Sequence, residues 1–307
     1  MKKLFLLTLI ALLAISKSNA QQDPHYTQYM YNMSVINPAY AGSKENLSVG
    51  LLYRKQWVEI EGAPTTATFF AHSPVGKNVG LGLSVINDKL GPVEENNVFI
   101  DASYTLQVSE TAKLAFGLKT GATFHKIDFN TINQSLSSGL IDPVFASGNP
   151  SSTNFNLGTG LFYYTNKYYL AASVPNLLKG RYLDFNGRAY GSEVSHYFVT
   201  GGYVFDLNED FKFKPFFMVK SSFKAPTSVD ISTNFLYQEK FELGATYRFK
   251  ESFGAMVNFK VSPGIKVGYA YDRIISDLNI ITKSSHEFFI LFDVNFPKKV
   301  SQSPRYF

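Results

Sequence analysis

The chain has no cysteine and one tryptophan in 307 residues. Without cysteine there is no disulfide framework, no thiolate nucleophile and no attachment point for a lipoprotein acyl chain. Long apolar runs are also missing. Beyond residue 20, nothing approaches the roughly 18 uninterrupted apolar residues that a membrane helix requires, so a helical inner-membrane protein is excluded. Charge of one sign is scarce too. The formal net charge is +5, and Lys2, Lys3 and Lys17 lie in a segment expected to be removed. The near neutrality that remains argues against a nucleic-acid partner, since such domains usually concentrate positive charge on one face. The five histidines, His25, His72, His125, His196 and His286, fall in no metal-ligand spacing. Ser195 and His196 are adjacent on a strand pattern, so they point to opposite faces and cannot pair as nucleophile and base; His286 and Glu287 meet the same obstacle. No catalytic, metal or cofactor residue is expected, and the chain reads as non-enzymatic.

What is present begins with an export signal. Lys2 and Lys3 precede an apolar stretch from Leu4 to Ile15, and the small-residue ending Ser18-Asn19-Ala20 stands before Gln21. The aromatic load is heavy, with 28 Phe and 19 Tyr. Residues 211–296 repeat one device six times: apolar and polar side chains alternate, a turn follows, and the pattern restarts. Phe241, Leu243, Ala245, Tyr247 and Phe249 share one face, while Glu242, Gly244, Thr246, Arg248 and Lys250 share the other. Such a strand needs apolar surroundings outside and polar filling inside, which a transmembrane β-barrel in outer-membrane lipid supplies.

The same alternation gives strands over 46–57, 65–73, 79–87, 97–108, 113–126, 154–165, 168–174, 194–207, 211–221, 229–237, 241–250, 253–261, 265–273 and 286–296. These are 14 candidates, the even count that closure demands of an antiparallel barrel. The predicted fold is therefore all-β, a transmembrane antiparallel barrel. Its expected divisions are a signal peptide at 1–20, an irregular periplasmic or plug segment at 21–45, the barrel at 46–296 and a periplasmic tail at 297–307. With residues 21–44 on the periplasmic side, the long linkers 128–153, 175–193 and 274–285 fall outside and the short turn 208–210 falls inside.

The segment 21–44 has no two-residue period, yet it carries Tyr26, Tyr29, Met30, Tyr31, Val35, Ile36 and Tyr40. That apolar surface must pack, against the barrel lumen or against a periplasmic partner. Lumen-facing candidates are Asp101, Asp230, Ser232, Asn234, Gln238, Glu242, Arg248, Lys250, Lys266, Asp272 and Arg273, whose plain role is a paired polar filling and whose alternative role is a binding surface. Arg54 and Gln56 are placed to anchor the N-terminal segment, with Trp57 on the opposite phase at the interface. Phe296, ending the last strand, or Phe307 is the candidate signal for barrel insertion.

The opening Gln22-Asp23-Pro24-His25-Tyr26-Thr27-Gln28-Tyr29-Met30, followed by Asn37-Pro38-Ala39-Tyr40-Ala41-Gly42-Ser43, closely resembles the start of the PorP/SprF family of Bacteroidota outer-membrane proteins. The resemblance continues at Tyr53-Arg54-Lys55-Gln56-Trp57, Gly62-Ala63-Pro64 and Gly268-Tyr269-Ala270-Tyr271-Asp272. It ends at Ser285-His286-Glu287, where Ser284 stands in place of the family's glycine, and at the terminal Ser303 to Phe307. It implies a component of the type IX secretion system. The implied partner is a large secreted adhesin with a C-terminal sorting domain, which such a protein helps to secrete or to hold at the surface in gliding bacteria. Ring or peptidoglycan-binding subunits of the machine are the other implied partners, through a general anchoring role. A small-solute channel is the remaining competitor.

Overall fold

The computed structural model describes residues 25–44, 46–128, 151–178, 180–185, 188–192, 194–222 and 225–295. Alternating apolar and polar side chains produce fourteen barrel strands: β1 (Asn46–Lys55), β2 (Thr65–Pro74), β3 (Val79–Leu90), β4 (Val93–Gln107), β5 (Lys113–Ile127), β6 (Ser151–Tyr164) and β7 (Tyr168–Val174). The eighth, β8, runs over Tyr197–Tyr203 and resumes at Phe205–Asp206. Then come β9 (Phe211–Ser221), β10 (Ser228–Tyr237), β11 (Phe241–Arg248), β12 (Ser252–Ser262), β13 (Ile265–Ile274) and β14 (Ser284–Asn295). Each pairs antiparallel with its neighbours in sequence, and β1 closes the ring against β14 with Arg54 opposite Glu287. Closure leaves the ring without an unpaired edge, the condition that hydrocarbon imposes on backbone N–H and C=O groups. Among the described residues no helix is long and apolar enough to cross a membrane.

The packing is inverted relative to a water-soluble protein. Leu83, Ile100, Leu118, Leu157, Ile231, Leu243, Phe253 and Phe288 are exposed on the outer face, while Arg54, Lys119, Lys214, Asp230, Glu242 and Glu287 are buried inside. Alternation alone does this, because consecutive strand residues point to opposite sides of the sheet.

Odd-numbered connections gather at one mouth, hereafter the loop end, and even-numbered ones at the other, the turn end. The loop end includes the connection after β7, which carries a small separate hairpin of Arg181–Phe185 and Arg188–Ser192. The turn after β3 is shorter than the sequence pattern indicates. β3 runs on to Leu90 and β4 starts at Val93, with only Gly91 and Pro92 between them and Gly91 at φ +55°. The intervening Asp88, Lys89, Glu94 and Glu95 are polar on both faces, so the period-2 signal vanishes there although the ladder continues through Asp88 opposite Glu95 and Lys89 opposite Glu94. A hairpin that rises past the lipid no longer needs an apolar outer face. The expected signal peptide, the C-terminal tail with Phe296 and Phe307, and most of the linker 128–153 lie outside the described residues.

Candidate functional site

The lumen is occupied by the chain's own N-terminal segment. Residues 25–44 fold into three short turns, Tyr29–Tyr31, Met33–Ile36 and Pro38–Tyr40, and nearly every side chain is buried. Asn37 accepts the Ala39 amide at 2.9 Å, an Asx-type cap that lets Pro38 start the last turn. The path can be read from its contacts. His25 lies 3.9 Å from Glu251, in the loop-end turn after β11. Tyr31 packs on Phe289 in the middle of β14, Gly42 donates its amide to His72 Nδ1, and Lys44 reaches Asp293 near the turn end. The segment thus crosses the barrel from the loop end to the turn end and then enters β1.

One wall of the lumen holds it by charge. Arg54 donates to Glu287 at 3.0 Å, to Asp272 at 2.8 Å and to Thr27 Oγ1 at 2.8 Å. Glu287 in turn accepts the backbone amides of Thr27 and Gln28, each at 2.8 Å, and Thr27 Oγ1 donates to Asp272. Register makes this possible, since Arg54 and Glu287 are paired across β1 and β14 with both side chains inward. Arg248 makes a bidentate contact with Asp230 and also donates to the Tyr26 carbonyl at 3.5 Å. Glu242 accepts from Lys214, Lys266 and Asn234, and the two ammonium groups stand 5.6 and 4.2 Å from the centre of the Tyr31 ring. Each of these charges meets an opposite charge within 3.1 Å, the condition under which an ionic interior is tolerated, although Arg54 Nε and Asp272 Oδ1 have no hydrogen-bond partner among the described residues.

The opposite wall holds the segment by shape. Ser103 Oγ donates to the Ala41 carbonyl, Ser173 Oγ to the Ile36 carbonyl, and Asn37 Nδ2 to the Leu161 carbonyl. Gly117 faces the Pro38–Ala39 backbone and Gly160 faces the Asn37 side chain, so closely that a Cβ at either position would collide. Tyr40 sits edge-on to both His72 and Phe162, with ring centres 5.2 Å apart in each case.

The residues singled out from sequence are distributed as follows. Tyr26, Tyr29, Met30 and Tyr40 are buried in the lumen core; the Tyr26 hydroxyl lies 3.0 Å from Thr68 Oγ1. Asp101, Asp230, Glu242, Arg248 and Asp272 are buried on the inner face, and Lys266 reaches inward to Glu242. Asp101 meets Lys119 of β5 at 2.7 Å. Three lumen assignments are corrected. Arg273 is exposed, because it follows inward-facing Asp272 and the alternation turns it outward. Gln238 and Lys250 lie in turns at positive φ and are also exposed. Trp57 stands past the end of β1 at φ +48°, half-buried, with its amide donating to Ser285 Oγ at 3.1 Å; it belongs to the loop-end mouth and not to a strand. Thr27, Gln28, Lys119, Lys214, Gly117 and Gly160 are partners that sequence reading did not single out. Lys119 and Lys214 were accessible to it, since each occupies the inward phase of its strand.

Similar barrels are known. The chain matches the CymD monoaromatic hydrocarbon channel with a TM-score of 0.54 at 12% identity, over 87% of this chain and 93% of that one. It matches the Pseudomonas putida toluene transporter TodX with a TM-score of 0.50 at 10% identity, over 92% and 96% respectively. At such identities the likeness is one of fold. No curated relative matches the chain. A family profile described as "Type IX secretion system membrane protein PorP/SprF" matches residues 18–292.

Proposed function

Because the chain belongs to the PorP/SprF family of type IX secretion system membrane proteins, we propose that this outer-membrane barrel serves the machine as a closed scaffold. It supports secretion or surface retention of a large adhesin by binding that client's C-terminal sorting domain. The loop end faces outward and receives the client. The turn end faces the periplasm, where ring or peptidoglycan-binding subunits are met.

The observation that carries this reading is the filled lumen. The Arg54–Asp272–Glu287 cluster grips the backbone at Thr27 and Gln28, and the glycine wall leaves no gap beside Pro38 and Ala39. A barrel plugged by a buried, hydrogen-bonded segment offers surfaces and no passage, which favours a binding role over a small-solute channel and over catalysis. Purification of the tagged protein from native envelopes in mild detergent tests it. Recovery of an adhesin with a type IX sorting domain is the expected result. Recovery of ring and peptidoglycan-binding subunits without a client would make the protein the general anchor, and steady single-channel current from the purified barrel would replace both with a pore.

A further inference from the structure

Between the lumen segment and the wall formed by β3–β9 lies a cavity of about 100 Å³ on the loop-end side. Tyr29, Ile36, Phe99, Phe198 and Met218 give it an apolar body. Its polar lining includes both signs of charge, Glu95 with Lys119 and Lys220, so it selects neither an anion nor a cation. The informative group is Asn156. It is 4% exposed, and its Nδ2 is committed to the Pro175 carbonyl at 3.0 Å. Among the described residues its Oδ1 has no hydrogen-bond partner. A buried acceptor left in that state is costly, and a purely hydrocarbon occupant would make the cost permanent.

We infer that this cavity binds one apolar residue of an extended polypeptide, with the side chain among Tyr29, Phe99 and Phe198 and a backbone N–H donated to Asn156 Oδ1. The volume fits one aliphatic side chain, being somewhat smaller than the roughly 150 Å³ cavity that accepts benzene. A peptide unit brings both a donor and an acceptor to a rim that mixes amides, a hydroxyl and both charges. This deepens the proposed function by giving the client a point of attachment at the loop end, and it rests on that reading.

The test uses the full barrel in detergent with N-acetyl-leucinamide as probe, followed by saturation-transfer NMR. Saturable binding is expected, weaker by about tenfold for N-acetylglycinamide, which lacks the side chain, and for toluene, which lacks the N–H. Asn156→Ala should weaken N-acetyl-leucinamide by a similar factor without altering toluene. Met218→Trp should fill the cavity and remove both. Equal binding of toluene and the amide, or indifference of the amide to Asn156→Ala, would make the cavity a hydrocarbon site. No saturable binding of any probe would leave Asn156 satisfied by water only; either result overturns the inference. If secretion subunits still co-purify with a barrel that ignores the amide, the inference fails and the proposed function stands.

Discussion

The two walls of the lumen grip the same segment by different physics. On the β9–β14 and β1 side, long ionised side chains converge on Thr27, Gln28 and Tyr31. On the β3–β7 side, glycines and serines face the stretch from Ile36 to Ala41, and the backbone of Pro38–Ala41 lies almost against the strands. The charged wall fixes the segment through chemical identity, since each carboxylate must keep its cation. The other wall fixes it through excluded volume. Loss of a partner therefore costs the first wall most, whereas gain of an atom costs the second.

Arg54→Met tests the first wall at its strongest point. It leaves Asp272 and Glu287 buried without their shared cation and should destabilise the barrel by about 3–5 kcal/mol, read as a lower midpoint in heat-modifiable gel migration. An unchanged midpoint would show that the cluster is dispensable. Gly117→Val adds volume to the second wall. We expect a loss of about 1–3 kcal/mol from overpacking, together with intermittent ion current as the segment shifts off the wall; a silent bilayer recording with an unaltered midpoint would count against the shape argument. The pair Asp101–Lys119 touches neither grip. The double change Asp101→Leu with Lys119→Met should be neutral or stabilise by about 1–4 kcal/mol, and a marked loss would mean that charge matters even away from the segment.

The smallest effect concerns the loop end alone. Glu59 accepts from Thr282 Oγ1, the Lys283 amide and Ser284 Oγ, which holds its carboxyl down at about 2. The folded value lies below the unfolded one, so the bonds contribute fully above the ordinary carboxylate range near 4.5 and are lost as pH falls through about 2. The protection of the Lys283 amide, measured against its intrinsic exchange rate at each pH, should fall over that window, and Glu59→Gln should remove this pH dependence while leaving the lumen unaffected.

The charged wall was legible in the sequence because it obeys the strand period. Glu242, Arg248, Asp230 and Asp272 stand on the phase opposite the lipid-facing residues, and the ring of fourteen follows from the same count. Asp272 and Arg273 cannot both face the lumen, because neighbouring strand residues alternate, and Asp272 takes the inward phase. The glycine wall was not legible. A glycine in a strand has many uses, and the partner that explains Gly117 lies 78 positions away, at Ala39, in a stretch with no periodicity. The extent of the β3–β4 hairpin was hidden for a related reason, since polar residues on both faces carry no phase.

The passage of residues 25–44 through the barrel also bears on assembly. A rod inside a closed hoop can leave or enter only lengthwise, and this rod is continuous with β1, one of the two strands whose pairing closes the hoop. The joining of β1 to β14 is thus also the step that encloses the rod. Unless it threads in lengthwise afterwards, the N-terminal chain is laid across the nascent sheet before that seam forms, with Arg54 and Glu287 meeting at the seam as the residues that clasp it.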